Sequence, residues 1–247
     1  MSFIITVYTN EGIIMASDSR TTYSNQTVLP NGEIRHNFGV QITDTTYKTF
    51  ICNSRIGLST CGDASINGTP IAGFIENFIS QKVTDDDSVE AICDKVMEHF
   101  SQYDPVPATS FIVAGYNIDD QKQHICRVYI ATKEIIPIID TSIPGTLWDG
   151  EADILKRLVK FVGIKNEDGT YTDLPNYSIG FNFFTLQDAI NFAVAASCLK
   201  HTIEYAVDVT IKTMSFQDCV KTVGGPIDIL AIKPSGIFWI QHKELHI

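Results

Sequence analysis

The chain lacks the features that mark secreted and metal-binding proteins. Its six cysteines are dispersed over 247 residues, with no Cys-x-x-Cys pair and no Cys/His spacing typical of a metal site. A free cysteine in an apolar segment behaves as a small hydrophobic residue. We therefore expect reduced thiols, no bound metal and a cytoplasmic location.

Long apolar runs and basic clusters are also missing. No run approaches the eighteen apolar residues of a membrane span, and the opening segment has neither a basic region nor a small-residue cleavage site. Lys and Arg form no cluster, and the net charge of −11 argues against binding a phosphate backbone. No glycine-rich stretch fits a phosphate loop. We expect no membrane, nucleic-acid or cofactor binding.

The composition is that of an ordered globular protein. Hydrophobic residues make up 44% of the chain and charged residues 19%, so the chain can bury a substantial core. The length is large for one domain, yet no linker and no internal repeat divides the sequence. We predict one domain over residues 1–247.

The first sixty residues have the patterns of β-strands. "SFIITVYT" and "GIIMASDS" are predicted strands, joined by a turn at Asn10-Glu11-Gly12. The polar stretch 23–46 is interpreted as a long loop with a turn at Pro30-Asn31-Gly32. Two further strands are predicted over 47–54 and 55–62.

After Gly62 the apolar period becomes helical. Two helices are predicted, one carrying Ile71, Phe74, Ile75, Phe78 and Ile79 on one face and the other starting near 84–88. Later segments are assigned in chain order: strands at 109–117, 123–132 and 134–140, a short helix at 151–161, a turn-rich stretch, a buried helix from Thr185 to 206, and strands at 225–234 and 236–243.

This order of strands, helices, strands, helices and strands predicts an α+β fold. Its expected form is a four-layer αββα sandwich, with two antiparallel sheets between helical layers.

The second residue is the first candidate for chemistry. A small residue after Met1 permits removal of the methionine, which would leave Ser2 with a free α-amino group beside its hydroxyl. Such a residue can supply both a nucleophile and a base. Ser2 alone carries little information, because Met-Ser starts are common, so its meaning depends on what other residues converge on it.

Several segments resemble the proteasome β-type subunits, which are N-terminal-nucleophile hydrolases. "GIIMASDSRTT" resembles their opening, and when Ser2 is placed on the family's N-terminal Thr, Gly12 matches the hairpin glycine and Asp18 the active-site Asp. "YKTF" supplies Lys48, and Gly62 follows after fourteen residues, the family's interval from its catalytic Lys to its oxyanion-hole glycine. "ASDSRT" and "VGGPIDILAI" are closest to the bacterial Anbu/HslV branch.

The resemblance implies hydrolysis of peptide or other amide bonds. Ser2 would be the nucleophile and, through its α-amine, the base; Asp18 and Lys48 would tune the site, and Gly62 would help to form the oxyanion hole. A further set of residues is assigned accessory or pocket positions. The accessory candidates are Arg20, Thr146 and Asp149, and the substrate-pocket candidates are Thr22, Thr60 and Cys61.

Partners are implied by the same resemblance. The family assembles as homo-oligomeric rings or spirals, takes peptides or unfolded proteins as substrates, and in many cases works with an ATPase unfoldase. Two alternatives stay open from the sequence: a catalytically inactive structural subunit of such an oligomer, and a non-proteolytic amidase of the same fold. Asp18 could then be part of a structural ion pair and Cys61 a packing residue.

Overall fold

The structure is a computed structural model that describes residues 2–32, 34–159, 163–173, 180–199 and 223–244. The strands are β1 (Phe3–Thr9), β2 (Gly12–Ser17), β3 (Thr21–Val28), β4 (Ile34–Thr43), β5 (Thr49–Ile51), β6 (Ile56–Gly62), β7 (Ser65–Ile66), β8 (Thr69–Pro70), β9 (Thr109–Tyr116), β10 (Gln123–Tyr129), β11 (Glu134–Pro137), β12 (Gly145–Gly150), β13 (Gly163–Lys165), β14 (Tyr171–Asp173), β15 (Asp228–Lys233) and β16 (Gly236–Gln241). The helices are α1 (Ile71–Lys82), α2 (Val89–Phe100), α3 (Asp153–Val159) and α4 (Leu186–Leu199).

The first large sheet has the strand order β12-β1-β2-β15-β16, and every neighbouring pair is antiparallel. Strands β1 and β2 form the predicted hairpin, with Thr9 opposite Gly12 across the turn. Every residue of both strands is buried, which explains their nearly unbroken apolar sequences.

The second large sheet has the order β11-β10-β9-β6-β5 and is also antiparallel throughout. Strand β9 lies at its centre and is buried along its whole length. After β6 the chain leaves the sheet and forms α1 and α2. It then returns as β9, which pairs with β6.

Three apolar clusters hold these elements together. One joins α1 and α2 to the second sheet, through residues such as Phe78, Phe100 and Phe111. A second joins α4 to the first sheet. The third contains side chains from both sheets, among them Met15 and Ile112. Along β1 the side chains alternate between the second and third clusters, as the two-residue period of a strand requires.

The starts of α2 and α4 follow local sequence signals. Ser88 caps α2, where its side chain accepts a hydrogen bond from the backbone N–H of Ala91 at 3.1 Å. At α4, Asp188 accepts from the backbone N–H of Thr185 at 3.0 Å, and the Thr185 hydroxyl accepts in return from the N–H of Asp188 at 3.2 Å. This is the reciprocal capping box that the sequence predicts.

The structure differs from the sequence-based assignment in four places, one of them the short, unpredicted β7–β8 hairpin. Residues 23–46, interpreted as a loop, contribute most of the β3–β4 hairpin around the predicted turn. The stretch after α3, interpreted as turn-rich, contains the short β13–β14 hairpin. Strand β12 was not predicted at all. Residues 160–161 and 200–206, which the predicted helices included, lie outside the described residues.

These findings confirm a mixed α/β architecture built on antiparallel sheets. Within the described residues, no helix is long and apolar enough to cross a membrane.

Candidate active site

Ser2 lies at the start of β1, in the wall of a cavity of about 560 Å³ that Gly62 also lines. The residue is 9% exposed, and its backbone carbonyl accepts a hydrogen bond from the N–H of Glu151 at 3.0 Å. This bond continues the pairing of β1 with β12, so the neighbouring strand holds the start of the chain in place. Met1, whose removal the sequence suggests, lies outside the described residues.

Asp18 follows β2 and accepts four hydrogen bonds. Its Oδ1 accepts from the backbone N–H of Phe3 at 2.9 Å and from Nζ of Lys48 at 2.7 Å. Its Oδ2 accepts from the backbone N–H groups of Arg20 and Gly224, both at 3.1 Å. These hydrogen bonds fix the carboxylate beside the backbone N–H of Phe3, the residue that follows Ser2.

Lys48 immediately precedes β5, and its side chain is only 3% exposed. Its ammonium group donates to Asp18 and, at 2.5 Å, to the backbone carbonyl of Arg20. Burial lowers the pKa of Lys48, while the attraction and the hydrogen bond of Asp18 oppose this shift. A buried cation without such partners would be costly, so Asp18 and Lys48 form one structural unit.

Gly62 ends β6 with a φ of +116°, a backbone conformation that favours glycine. A Cβ at this position would overlap the backbone carbonyl oxygen of Ala108. The next residue, Asp63, donates its N–H to that same oxygen at 3.2 Å. The chain therefore requires glycine where the strand passes the cavity.

A chain of polar side chains lines the same cavity. The Cys61 thiol lies 3.1 Å from the hydroxyl of Ser110, which donates to Oδ2 of Asp149 at 2.8 Å. The Arg127 guanidinium lies behind Asp149, with Nε 3.9 Å from Oδ2. Of the sequence candidates, the cavity wall thus contains Cys61 and Asp149 in addition to Ser2 and Gly62.

The remaining candidates lie elsewhere. Arg20 forms a two-point ion pair with Asp44, at 2.7 and 2.8 Å, and this hydrogen bonding lowers the pKa of Asp44. Thr146 donates to the backbone carbonyl of Thr6 at 3.0 Å, within the β1–β12 pairing. Thr60 is buried and donates to a backbone carbonyl. Neither it nor the partly exposed Thr22 is among the residues that line the cavity.

A second buried ion pair was not anticipated from the sequence. Asp228, at the start of β15, pairs with the ammonium group of Lys243, and both side chains are almost fully buried. Lys243 also lies over the ring of Tyr47, with Nζ 4.4 Å from its centroid. Because Tyr47 precedes Lys48 and Asp228 lies opposite Ser17, this pair adjoins the Asp18–Lys48 pair.

Sequence signals for the missed features are weak. Asp228 stands in an otherwise apolar strand, "IDILAI", which marks it as a buried charge that needs a partner. Lys243 has no comparable signal, because a lysine in a terminal segment is most often exposed. Among the described residues, no group of three or more His, Cys, Asp or Glu side chains could hold a metal ion.

Comparison with known proteins identifies the fold. No protein-family model and no curated protein matches the chain. Among solved structures, the chain is similar to Anbu from Hyphomicrobium sp. strain MC1, with a TM-score of 0.54 and 15% sequence identity over 98% of this chain and 88% of that one. At this identity the match shows a shared proteasome-like fold.

Proposed function

We propose that this chain is an N-terminal-nucleophile hydrolase of the Anbu/HslV branch, which cleaves peptide or other amide bonds after Met1 has been removed. One observation carries the proposal. Ser2 and Gly62 line one cavity, and Phe3, the residue after Ser2, donates a hydrogen bond to Asp18 of the buried Asp18–Lys48 pair. The proteasome-like fold supports the same reading.

The reaction begins with attack by Ser2. Its Oγ bonds to the substrate carbonyl carbon while the hydroxyl proton moves to the Ser2 α-amine. The nearby charge of Lys48 favours the neutral, basic form of that amine, because a like charge disfavours protonation. Asp18 holds Lys48 in position.

The tetrahedral intermediate then collapses. An oxyanion develops beside Gly62, whose backbone N–H is proposed to donate to it; one such donor is typically worth about 2.7–4 kcal/mol in the transition state. The substrate C–N bond breaks, and the leaving amine takes the proton from the Ser2 α-ammonium. Water next attacks the ester on Ser2, passes a proton to the α-amine, and releases the acid while Oγ is reprotonated.

The experiment combines intact mass with probe labelling on natively expressed protein. We expect a mass without Met1, labelling of Ser2 by a β-lactone, and peptide hydrolysis. All labelling and hydrolysis should vanish in Ser2→Ala, a matched control because alanine also permits Met1 removal.

Retained Met1 would contradict the Ser2 mechanism. Absence of labelling and of turnover on a broad peptide library would favour an inactive structural subunit, and turnover of small amides alone would favour a non-proteolytic amidase.

We further propose that the chain is a single domain with a four-layer αββα arrangement. The three apolar clusters support it, since two join helices to a sheet and one joins side chains of both sheets. A single cooperative unfolding transition, seen alike by fluorescence and circular dichroism, is the expected result. Two separated transitions would contradict a single domain.

Assembly as a homo-oligomeric ring or spiral is also proposed, with peptides or unfolded proteins as substrates and an ATPase unfoldase as partner. Exposed apolar side chains such as Ile139, Ile143 and Phe183 support an interface. Sedimentation velocity should show an assembly larger than the monomer. We place the protein in the cytoplasm, which the free thiols of Cys52, Cys61, Cys93, Cys126 and Cys198 support.

A further inference from the structure

The cavity beside Ser2 has a strongly acidic wall. Asp63, Asp149 and Glu151 all line it, whereas no Lys, Arg or His does so among the residues that the structure describes. The acidic residues come from two different sheets, because Asp63 follows β6 and the other two lie at the end of β12. A group bound in the cavity therefore faces carboxylates from two sides.

Two of these carboxylates, Asp149 and Asp63, differ in whether a positive charge lies close to them. Asp149 accepts from the neutral hydroxyl of Ser110 and has Arg127 behind it, at 3.9 Å. Asp63 accepts from the backbone N–H of Ala108 at 2.7 Å. A neutral N–H donor orients a carboxylate without pairing it to a positive charge, and Asp63 is an exposed residue of the cavity wall.

The other walls suit a long side chain with an apolar stem. Ala108, Ala131 and the half-buried ring of Tyr129 line the cavity beside the carboxylates. Burial, followed by the charge of Asp149, raises the pKa of Tyr129 and keeps its phenol neutral. Thr109 also lines the cavity, and its buried hydroxyl has no hydrogen-bond partner among the described atoms.

The size of the cavity is that of a ligand site. Its volume of about 560 Å³ lies within the range of about 300–1,000 Å³ found for small-molecule pockets. Lysine and arginine side chains combine an apolar stem with a cationic end, and they can bury the stem while the charge meets a carboxylate.

We propose that this cavity is a specificity pocket that binds a lysine or arginine side chain of the substrate, close to the bond that Ser2 cleaves, with Asp63 as the principal charge partner. The inference rests on the proposed hydrolase function and adds the substrate class. Electrostatic complementarity of this kind discriminates between partners, because a like-charged or neutral side chain leaves the acidic wall unbalanced.

The kinetic test uses the processed protein and four peptides that differ at one position: arginine, citrulline, leucine and glutamate. Citrulline is the matched control because it has nearly the shape of arginine without its charge. We expect kcat/KM for the arginine peptide to exceed that for the citrulline peptide by about tenfold or more, as one well-placed charge interaction can provide.

Asp63→Asn should remove most of that ratio, since asparagine keeps an oxygen to accept from Ala108 but loses the charge. Asp168→Asn is the control variant: Asp168 also accepts from a backbone N–H, that of Thr170 at 2.9 Å, and lies on the exposed β13–β14 turn. It should leave the ratio unchanged. Asp63→Lys should reverse the preference towards the glutamate peptide. Ser2-dependent hydrolysis with equal rates on the arginine and citrulline peptides would overturn the inference while leaving the proposed function intact.

A binding arm keeps the inference testable if no peptide is hydrolysed. Calorimetry with Ser2→Ala should give a dissociation constant at least tenfold lower for the arginine peptide than for the citrulline peptide. The difference should be lost in the Ser2→Ala, Asp63→Asn double variant. Equal affinities for the two peptides, or no binding of either, would overturn the specificity pocket.

Discussion

At the scale of single residues, the site is organised around one carboxylate. Asp18 binds Lys48 through the same oxygen that accepts from Phe3, while its other oxygen joins the turn after β2 to the segment before β15. Asp18 thus has two tasks: it holds the buried ammonium group of Lys48, and it ties the start of β1 and the segment before β15 to the turn after β2. A change at Asp18 should affect both stability and hydrolysis.

We predict that Asp18→Asn lowers the free energy of unfolding by about 3–5 kcal/mol, the usual cost of breaking a buried ion pair. Lys48 would keep a buried positive charge without its anion, and the asparagine amide would face an N–H or ammonium donor. Urea unfolding measures the change, with Asp168→Asn as the exposed control. A loss no larger than that of the control would show that Asp18 is not essential to the fold.

Lys48 should make stability depend on pH. Burial lowers its pKa in the folded state below the ordinary value of 10.5, so the cost of burying its charge is fully present below the folded-state pKa. Between that pKa and 10.5 the unfolded chain binds more protons than the folded one.

In this window the Lys48 contribution to the free energy of unfolding therefore rises with pH. We predict that wild type gains stability relative to Lys48→Met as the pH is raised from neutrality towards 10.5. Parallel urea titrations of the two proteins give the difference. A difference that shrinks with rising pH would contradict the sign of the shift.

At the scale of elements, strand β12 makes the site possible. It pairs with β1 so that Phe3 lies opposite Gly150 and Ile4 opposite Asp149. This register brings Asp149, Gly150 and Glu151 to the cavity that contains Ser2. Gly150 has a φ of +87°, and a Cβ there would overlap the backbone carbonyl oxygen of Ser2. The strand can approach Ser2 this closely only because it carries glycine at this point.

Gly150→Ala and Gly169→Ala form a matched pair of substitutions. Gly169 has a similar φ of +82°, yet a Cβ there would meet no atom within 4 Å. Both changes should cost about 1–2 kcal/mol of backbone strain. Gly150→Ala should lose about 1–3 kcal/mol more because of the overlap, and it should also abolish Ser2 labelling. Equal losses in the two variants, measured by urea unfolding, would contradict the close packing of β12 on Ser2.

At the scale of the whole molecule, the two large sheets meet through a shared apolar cluster. Met15 on β2 is fully buried there, and Gly57 on β6 lies so close that an added Cβ would be 2.9 Å from the Met15 sulfur. The first sheet carries Ser2 and Asp18 at its strand ends, whereas Gly62 belongs to the second. The packing between sheets therefore sets the distance between the proposed nucleophile and the proposed oxyanion hole.

We predict that Met15→Ala lowers the free energy of unfolding by about 2–5 kcal/mol, the range for removing a buried side chain of this size. Ile118→Ala is the control, because Ile118 is 60% exposed; its effect should stay within about 0.5 kcal/mol. Thermal and urea unfolding of the two variants provide the comparison. A small effect of Met15→Ala would indicate that the sheets are not closely packed at this point.

The sequence by itself determined the features that depend on neighbouring residues. Segments rich in strand-forming residues on either side of a turn predicted β1 and β2, the helical period predicted α1 and α2, and Thr185 with Asp188 predicted the start of α4; the structure confirms each. These signals are local, because one turn of helix or one strand face is specified within a few positions.

The sequence also identified Ser2, Asp18, Lys48 and Gly62 as candidate site residues, because they resemble a motif of the proteasome β-type subunits. Their catalytic roles stay a prediction. What the structure adds is that Asp18 and Lys48 bind each other and that Ser2 and Gly62 line one cavity.

Only the tertiary structure decided the parts that depend on distant residues. "GTLWDG" has too few apolar positions to indicate a strand, and β12 forms because its backbone pairs with β1, more than 130 residues earlier in the chain. The same pairing creates the acidic cavity, and the approach of the terminal segment to β15 creates the Asp228–Lys243 pair. Such contacts leave no signal in the neighbouring sequence. The interaction that stabilises each of these strands or charged side chains comes from a partner that is far away in the chain.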